Sequence, residues 1–433
     1  DGNNIYTLYE QNARVDIVLI ENEKINLACS VNFGQDLEID NEKKFLSNAE
    51  MYIYENKLII IADVIDNSID NFNNYSEDAS YKSVYNGYYD CCYIGLNKTY
   101  VIEYDIENIN NPEYINTIDI DGSISSSRMV DGYLYVVTQK NYDIYSMIYS
   151  DITKENMEKN ISENCIPKVN GEEINCDNIY YCGGEDGDEY EIIVGIDVND
   201  KLNVIDKKAS IVGNGIIYAS ENNIYTFSSY YETVNNVELS RTRIIKYSYE
   251  NGIITPLQTV LIDGNVYEQF WIDEYNGNLR VVSFIYKYSN ETIKDDTSDI
   301  IVISNQNTES AVYILDSNLK IIGNIDGLGE GENLQSVRFD GDIVYFVTFL
   351  QTDPLFAVDL SNPAKPSKIS ELKVTGFSSY LHKWSDTELL GIGMEADDEG
   401  RVTGTKISMF DVNTKTEMNE IGRNIIDNSY YSW

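Results

Sequence analysis

The chain has 433 residues, of which 42% are apolar, and its 31 basic and 72 acidic residues give a formal net charge of −41. This charge excludes nucleic acid as a partner, because nucleic-acid binding needs a positive surface that displaces counterions. No apolar stretch approaches the roughly 20 residues that a membrane-spanning helix requires, so the sequence argues against direct membrane insertion.

A two-part phrase recurs seven times along the chain and predicts its fold. The first part is a turn followed by an apolar β run, as in Asp131-Gly-Tyr-Leu-Tyr-Val-Val-Thr and Asp340-Gly-Asp-Ile-Val-Tyr-Phe-Val-Thr. The second part is a short strand that ends in a polar turn, as in Glu103-Tyr-Asp-Ile and Ala357-Val-Asp-Leu. A fixed order of short strands that repeats this often predicts an all-β propeller.

The segments between the repeated phrases are predicted to be innermost strands: Ala49–Tyr54, Ser123–Val130, Lys208–Gly213, Val266–Tyr275, Leu334–Phe339 and Phe377–Trp384. The first phrase, at Asp1, has no such strand before it, whereas Asn428–Trp433 is a spare strand after the last one. We therefore predict a single β-propeller over residues 1–433 with seven four-stranded blades. The C-terminal strand would join the first blade and close the ring, which removes an exposed sheet edge.

Loop insertions are predicted at about 66–99, 140–191 and 288–310, each between the second and third strands of a blade. Loops at that place in a blade emerge on one face of a propeller. Because rigid scaffolds present binding residues on variable loops, this face is the predicted binding surface. The alternative is that the insertions are decoration without a role.

Tyrosines in these insertions are the predicted binding residues: Tyr85, Tyr88, Tyr89, Tyr93, Tyr180 and Tyr181. Tyrosine combines a large contact area with a polar tip and loses little rotamer entropy, which suits contacts to a protein or a glycan. The alternative is that these rings pack the insertions onto each other as a small satellite core.

Most of the cysteines fall in the same insertions: Cys91, Cys92, Cys165, Cys176 and Cys182. Zinc binding is disfavoured because the chain has one histidine and lacks paired Cys-x₂-Cys spacing. Disulfides are favoured, since crosslinks stabilise long loops that lack a core. We predict at least one bridge within 165–182 or between that segment and Cys91/Cys92. Disulfides indicate an oxidising compartment, hence a secreted or cell-surface protein.

Two further kinds of site are predicted from local patterns. Sequons make these asparagines glycosylation candidates: Asn74, Asn97, Asn160 and Asn290. The acidic clusters 185–189 and 395–399 offer hard oxygen ligands for Ca²⁺. Neither cluster has EF-hand spacing, and a solvated acidic loop is the commoner outcome, so no metal ligand is assigned.

Three segments in the second half resemble a known family: Phe339–Pro363, Gly376–His382 and Lys406–Val412. They are similar to secreted proteins of bacteria and archaea with a C-terminal β-propeller distantly related to WD repeats. Weaker matches extend to the start of the chain. The resemblance implies a secreted or surface-anchored propeller, without an activity. Family members usually continue beyond the segment that matches Asn428–Trp433, so eight blades are the alternative to seven; they also usually have proline at the position of Lys383.

Catalysis has little support in this sequence. His382, the sole histidine, would have to serve any catalytic triad alone, and its place in an innermost strand favours a structural role. We predict a non-catalytic extracellular scaffold that binds a protein, a glycan or another copy of itself. One alternative is a carbohydrate-active enzyme with paired carboxylates at the channel mouth. Another is a structural subunit of a surface filament or coat.

Overall fold

The computed structural model describes residues 4–21, 24–67, 96–141, 165–181, 189–213, 215–294, 300–350, 353–397, 401–414 and 416–427. The chain divides into two compact units, Asp1–Gly213 with Tyr249–Thr255, and Asn214–Ser248 with Pro256–Trp433. Among the described residues, each unit is made of β-sheets whose strands pair antiparallel, except for the parallel pair β12–β14. The helices among the described residues have three or four residues: the 3-10 helices Glu10–Asn12, Cys176–Asn178 and Gln269–Trp271, and α1, Phe33–Asp36.

The strands of the first unit, in chain order, are β1 (Asn4–Tyr9), β2 (Arg14–Glu21), β3 (Lys24–Val31), β4 (Lys44–Tyr54), β5 (Lys57–Asp66), β6 (Leu96–Asp105), β7 (Glu113–Asp121), β8 (Ser123–Val130), β9 (Tyr133–Asn141), β10 (Lys168–Val169), β11 (Glu172–Glu173), β12 (Ile179–Tyr181), β13 (Glu189–Asp197) and β14 (Asn203–Val212). They form three sheets with the strand orders β1-β2-β3, β11-β10-β7-β6-β5-β4 and β12-β14-β13-β9-β8.

The remaining strands are β15 (Gly215–Ala219), β16 (Asn223–Val234), β17 (Val237–Glu250), β18 (Ile253–Asp263), β19 (Ile272–Tyr275), β20 (Asn278–Lys294), β21 (Ile300–Leu315), β22 (Ile321–Leu328), β23 (Asn333–Asp340), β24 (Ile343–Phe349), β25 (Asp353–Asp359), β26 (Ser367–Val374), β27 (Phe377–Lys383), β28 (Glu388–Ala396), β29 (Val402–Asp411) and β30 (Asn419–Asp427). Strands β23–β26 and β27–β30 form two four-stranded sheets, and the groups β15–β18 and β19–β22 are joined into one sheet by β17–β20 pairing. The predicted all-β fold is confirmed, and β23–β26 and β27–β30 have the predicted four strands. Asn428–Trp433 lies outside the described residues, so ring closure and blade number stay predictions.

The second strand of a repeat, such as β5 or β24, is buried on both faces. This burial explains the apolar run in the repeated phrase. In β5, Ile59 and Ile61 belong to one apolar core, whereas Leu58 and Ile60 belong to another. Strand β24 in the second unit alternates between two cores in the same way. Because alternate side chains point to opposite faces, a strand packed between two layers must be apolar at successive positions.

The second part of each phrase forms a hydrogen-bonded corner. In the phrase that ends β6, Asp105 Oδ1 accepts from the Glu107 amide at 2.7 Å, and the Ile106 amide donates to the Asn56 carbonyl at 2.8 Å. The same aspartate turn and backbone bond recur after β13, β25 and β29. Aspartate favours this turn because its side chain bonds the backbone two residues on.

Basic side chains connect some of these corners to a neighbouring sheet. The Lys57 ammonium donates to the carbonyl of Val198, and the Arg280 guanidinium donates to the Gly341 carbonyl at 2.5 Å. Lys246 makes a corresponding bond of 2.9 Å to a backbone carbonyl that follows β21. Such bonds satisfy carbonyls where strands end, so several of the scarce basic residues serve the fold.

Two sequence predictions about strands are wrong. Residues 208–213 are predicted to be an innermost strand, but most of them end β14, which pairs with β13 and β12 in the third sheet, and β15 is the edge strand of the next sheet. The predicted insertion 288–310 is largely a continuation of β20 and β21, which pair from Leu279–Leu315 to Lys294–Ile300. Its alternating β-branched and aromatic residues extend the ladder despite the polar residues between them.

Buried tyrosines predict a loss of stability at alkaline pH. Burial raises the pKa of Tyr345 in β24 to about 12, and Tyr313 in β21 is raised to about 12 for the same reason. An unfolded tyrosine ionises near pH ~10. Between pH ~10 and about 12, these tyrosines ionise in the unfolded chain but not in the folded chain. Their contribution to the free energy of unfolding is therefore complete below pH ~10 and is lost as the pH approaches about 12. Urea unfolding measured across this range should show the decline, and Tyr345→Phe should flatten it; an unchanged slope would contradict this assignment.

Candidate functional site

The structure describes two of the tyrosines predicted to bind a partner, Tyr180 and Tyr181, and both lie in β12. Strand β12 pairs in parallel with β14 at the outer edge of the third sheet. Tyr181 is 68% exposed, whereas Tyr180 is partly buried. The other predicted binding residues lie outside the described residues: Tyr85, Tyr88, Tyr89 and Tyr93.

The described part of this insertion is anchored by apolar burial and strand pairing. Val169 and Ile174 are buried in a core of the first unit, and Val169 pairs with Ile120 of β7. The Asn170 amide donates to the Asp119 carbonyl at 2.8 Å, and the Asp119 amide donates to Asn170 Oδ1 at 3.0 Å. These contacts fix the hairpin β10–β11 against the second sheet.

The structure describes two of the insertion cysteines, Cys165 and Cys176. Cys165 is buried and Cys176 is exposed, and no disulfide joins these two to each other. Cys91, Cys92 and Cys182 lie outside the described residues. The predicted bridge, within 165–182 or between that segment and Cys91/Cys92, therefore stays a prediction.

The acidic cluster 395–399 is committed to ion pairs where it is described. Asp397 Oδ2 accepts from Arg401 Nε at 2.9 Å, and Glu395 Oε1 accepts from Thr375 Oγ1 at 3.0 Å and lies 3.5 Å from Arg423 Nη1. Among the described residues, no group of His, Cys, Asp and Glu is arranged to hold a metal ion. The two described carboxylates of the cluster, Glu395 and Asp397, thus already have cationic partners. Asp398 and Glu399 lie outside the described residues, so Ca²⁺ at this cluster stays a prediction.

Of the predicted sequons, Asn74 and Asn160 lie outside the described residues, as does the side chain of Asn290. Asn97 is exposed in β6, but the hydroxyl of its sequon residue, Thr99, is buried. That hydroxyl donates to Asp63 Oδ1 at 2.6 Å, so it is already part of the sheet structure. Glycosylation stays a prediction at each of these positions.

Asp63 is the buried carboxyl that best resembles the acid expected of a glycosidase. Burial raises its pKa, as catalysis would require. Its oxygens, however, accept from Thr99 Oγ1 and from the Ile124 amide at 2.8 and 2.9 Å. A carboxylate bound by these groups connects the second and third sheets rather than facing a substrate. Two cavities of about 250 and 230 Å³ are also smaller than the ~300–1,000 Å³ of typical ligand sites.

An aromatic row in the second unit is the candidate binding surface. It consists of Tyr267, Phe270, Tyr380, His382 and Trp384. Trp384 is 61% exposed, Tyr267 52% and Phe270 48%. His382 is exposed as well and lies in β27, at the edge of its sheet; its structural role stays a prediction.

Ring contacts hold the row in a defined arrangement. Phe270 meets Tyr380 edge-to-face, with centroids 6.2 Å apart and planes at 74°. Tyr380 stacks on His382 at 6.2 Å, and its hydroxyl oxygen lies 3.2 Å from His382 Nδ1. Tyr267 packs edge-to-face on the buried Trp271 at 5.8 Å. The rings of Tyr267, Phe270 and His382 are therefore pre-oriented by their neighbours.

Local structure explains why these side chains lie together. Tyr380 and His382 are two positions apart on β27, and Trp384 continues the alternation because its amide bonds the Glu388 carbonyl at 3.0 Å. Gly376 starts this strand at φ 71°, where a β-carbon would lie 2.2 Å from a backbone oxygen. Only glycine allows this close turn.

Sequence reasoning missed Tyr267 and Phe270 as binding residues. They lie in a segment that was interpreted as a buried innermost strand, whereas the 3-10 helix Gln269–Trp271 turns them outward before β19. The alternation in Tyr380-Leu-His-Lys-Trp384 was a local indication of the site, because Leu381 is buried whereas His382 and Trp384 are exposed. No local pattern in the sequence indicated the contact between Phe270 and Tyr380, since this contact joins distant parts of the chain.

Repeated four-stranded antiparallel sheets that share apolar cores define a β-propeller protein. The chain belongs to the Beta propeller domain family, whose model matches residues 1–433. It is 38% identical to an uncharacterised protein of Archaeoglobus fulgidus over 45% of this chain and 27% of that relative. It is 26% identical to an uncharacterised protein of Methanocaldococcus jannaschii over 75% of this chain and 58% of that relative. The chain thus spans less than two thirds of either curated relative.

Two solved structures have weak similarity to this chain. Pyrococcus horikoshii acylaminoacyl peptidase has 11% identity and a TM-score of 0.30, and the match covers 88% of this chain and 52% of that one. BamB from Moraxella catarrhalis has 10% identity and a TM-score of 0.27, with 84% and 99% covered. These scores are too low to support a functional comparison. No helix among the described residues is long and apolar enough to cross a bilayer.

Proposed function

We propose that this chain is a non-catalytic interaction scaffold that binds a partner through the aromatic row. The observation that carries the proposal is the exposure of Tyr267, Phe270 and Trp384, of which Tyr267 and Phe270 are held by neighbouring rings. Exposed large aromatics cost solubility, so a cluster of them marks a surface that another molecule covers.

The chemistry of the row resembles that of the residues that dominate interfaces. Tryptophan and tyrosine are enriched among the few side chains that supply most binding energy, because they bury large areas with few rotatable bonds. Trp271 beneath Tyr267 is 3% exposed and provides a rigid base. A pre-ordered row loses little conformational entropy on binding, which favours its use as a docking surface.

We also propose that the scaffold works outside the cell, as a secreted or surface-anchored protein. The family resemblance and the formal charge of −41 support this location, since a strongly acidic coat keeps an exposed protein dispersed. Fractionation of the native host, with the chain detected in the culture medium or envelope, tests it. Recovery in the cytoplasm alone would contradict it.

Arrays of immobilised peptides and glycans test the binding role. The purified chain should bind a subset of array members, and the triple variant Phe270→Ala/Tyr380→Ala/Trp384→Ala should lose that binding by at least about tenfold. Tyr114→Ala is the matched control, because Tyr114 is equally exposed and also makes an edge-to-face contact, with Tyr104. Circular dichroism establishes that each variant is folded. Equal binding by the folded triple variant and the wild type would refute the role of the row.

A further inference from the structure

We propose that the aromatic row binds a basic protein segment, with a lysine or arginine side chain paired to Glu268 and lying against Tyr267 and Phe270. This inference rests on the proposed function and names its ligand class. Its central feature is an exposed carboxylate at Glu268, the residue that precedes the 3-10 helix, in the short segment that also carries the exposed rings of Tyr267 and Phe270. Rings and a carboxylate together attract a cation more strongly than either alone.

Glu268 is the group that selects a cation. Within the described residues its side chain forms neither an ion pair nor a hydrogen bond, although it lies between Tyr267 and Phe270 in the sequence. Surrounding atoms partly desolvate the carboxyl and raise its pKa. A partly desolvated carboxylate without a partner gains more from a bound cation than a fully hydrated one, because less water must be displaced.

The protein already uses this kind of contact internally. The Arg280 guanidinium lies 4.5 Å from the ring centroid of Tyr275 and 5.0 Å from that of Phe339, and it also pairs with Asp273. A ring face plus a carboxylate is thus a stable environment for arginine in this fold. The row presents the same combination at the surface, where a residue from a partner can occupy it.

The charge of the chain favours the same partner. With 72 acidic and 31 basic residues, its field attracts positive segments and repels negative ones. Lys383, the basic residue within the β27 part of the row, is already paired with Asp340 at 2.8 Å and Asp386 at 3.1 Å. It therefore leaves the neighbouring rings available to an incoming cation.

The geometry of β27 favours an extended segment. Tyr380, His382 and Trp384 project at every second residue, a spacing of roughly 6.5 Å along the strand. An extended peptide repeats its side chains at the same interval. A chain with basic residues at alternate positions can therefore place a cation near Glu268 and apolar stems along the row.

Fluorescence anisotropy with synthetic peptides tests the inference. The probes are a labelled short peptide that alternates glycine with lysine and arginine, an equivalent with glutamate, and a neutral one with serine. Measurements are made at about 0.15 M salt, where the Debye length is about 8 Å and long-range attraction is screened. The basic peptide should bind at least about tenfold more tightly than the neutral one, and the acidic peptide should not bind.

Variants distinguish binding at Glu268 and the aromatic row from nonspecific attraction by the negative charge of the protein. Glu268→Gln should weaken binding of the basic peptide by about tenfold, whereas Glu107→Gln, an equal charge change at an exposed position, should leave it unchanged. Phe270→Ala should weaken binding, and Phe270→Tyr should retain it because the ring face is preserved. Equal effects of Glu268→Gln and Glu107→Gln would overturn the inference.

The outcomes distinguish this inference from the proposed function. If array ligands depend on the row but basic peptides bind no better than neutral ones, the ligand class is wrong and the binding role stands. If the triple variant retains all array binding, the binding role itself fails. Tight, row-dependent binding of the basic peptide supports both.

Discussion

Lys57→Met is expected to lower the free energy of unfolding by about 3–5 kcal/mol, the cost typical of removing one partner from a buried ion pair. Lys57 Nζ lies 2.9 Å from Glu103 Oε1, and Glu103 is 2% exposed. Among the described residues, the second carboxylate oxygen of Glu103 is buried without a hydrogen-bond partner. The variant would therefore leave a buried charge uncompensated and the Val198 carbonyl without its donor.

Urea unfolding followed by circular dichroism measures this loss. Lys207→Met is the control, because its partner Glu172 is largely exposed and pairs of that kind contribute about 0–1 kcal/mol. The double variant Lys57→Met/Glu103→Leu removes both charges and should recover part of the stability. A loss below about 1 kcal/mol for Lys57→Met would show that water compensates Glu103 and that the buried pair is weak.

Arg280→Met is expected to lower stability by about 2–3 kcal/mol, since it removes hydrogen bonds to a charged group and to a backbone carbonyl. Arg280 is 4% exposed, and its Nε donates to Asp273 Oδ2 at 2.9 Å while Nη1 donates to the Gly341 carbonyl. Asp273 is partly exposed, which keeps the expected loss below that of a fully buried pair.

Arg280→Lys makes the prediction specific to the guanidinium. Lysine keeps the charge but has no planar fork that can reach a carboxylate, a carbonyl and two ring faces together, so it should restore less than half of the loss. Arg401→Met is the matched control, because Arg401 pairs with Asp397 at an exposed position and should change stability by less than about 0.5 kcal/mol. Full recovery by lysine would mean that charge alone explains the effect of Arg280.

The predictable part of this fold depends on interactions that are local in the chain. The repeated aspartate before an apolar residue indicated the corners, because Asp105 bonds its own turn and Ile106 enters the core beside it. Apolar runs indicated second strands, because β5 packs on both faces. Each of these features follows from the side-chain period of strands and from turn chemistry, so each can be read from a single sequence.

The candidate site depends on contacts that no local pattern encodes. The ring of Phe270 reaches Tyr380 only because the sheets place their innermost strands near one another. The extent of the β20–β21 hairpin was missed for a related reason, because pairing across the hairpin overrides the polar residues within it. Tyr181 lies in β12, and its exposure depends on how β12 docks on β14, which no local pattern encodes.

The scarcity of basic residues links the fold to the proposed ligand. Lys57, Lys246 and Arg280 all donate to backbone carbonyls near strand ends, so they contribute to internal structure rather than to a positive surface. Glu268 remains at the surface beside two rings without a cation of its own among the described residues. A partner that brings such a cation completes an arrangement that the protein forms internally around Arg280.

Site-specific photo-cross-linking from the row tests the proposed binding surface most directly. A photoreactive side chain at position 270, and separately at control position 114, is activated in the presence of the basic peptide, and mass spectrometry locates the adducts. We expect adducts from position 270 that disappear when Glu268→Gln is added, and none from position 114. Equal labelling from both positions, or labelling from 270 that is insensitive to Glu268→Gln, would contradict the aromatic row as the site where a basic partner binds.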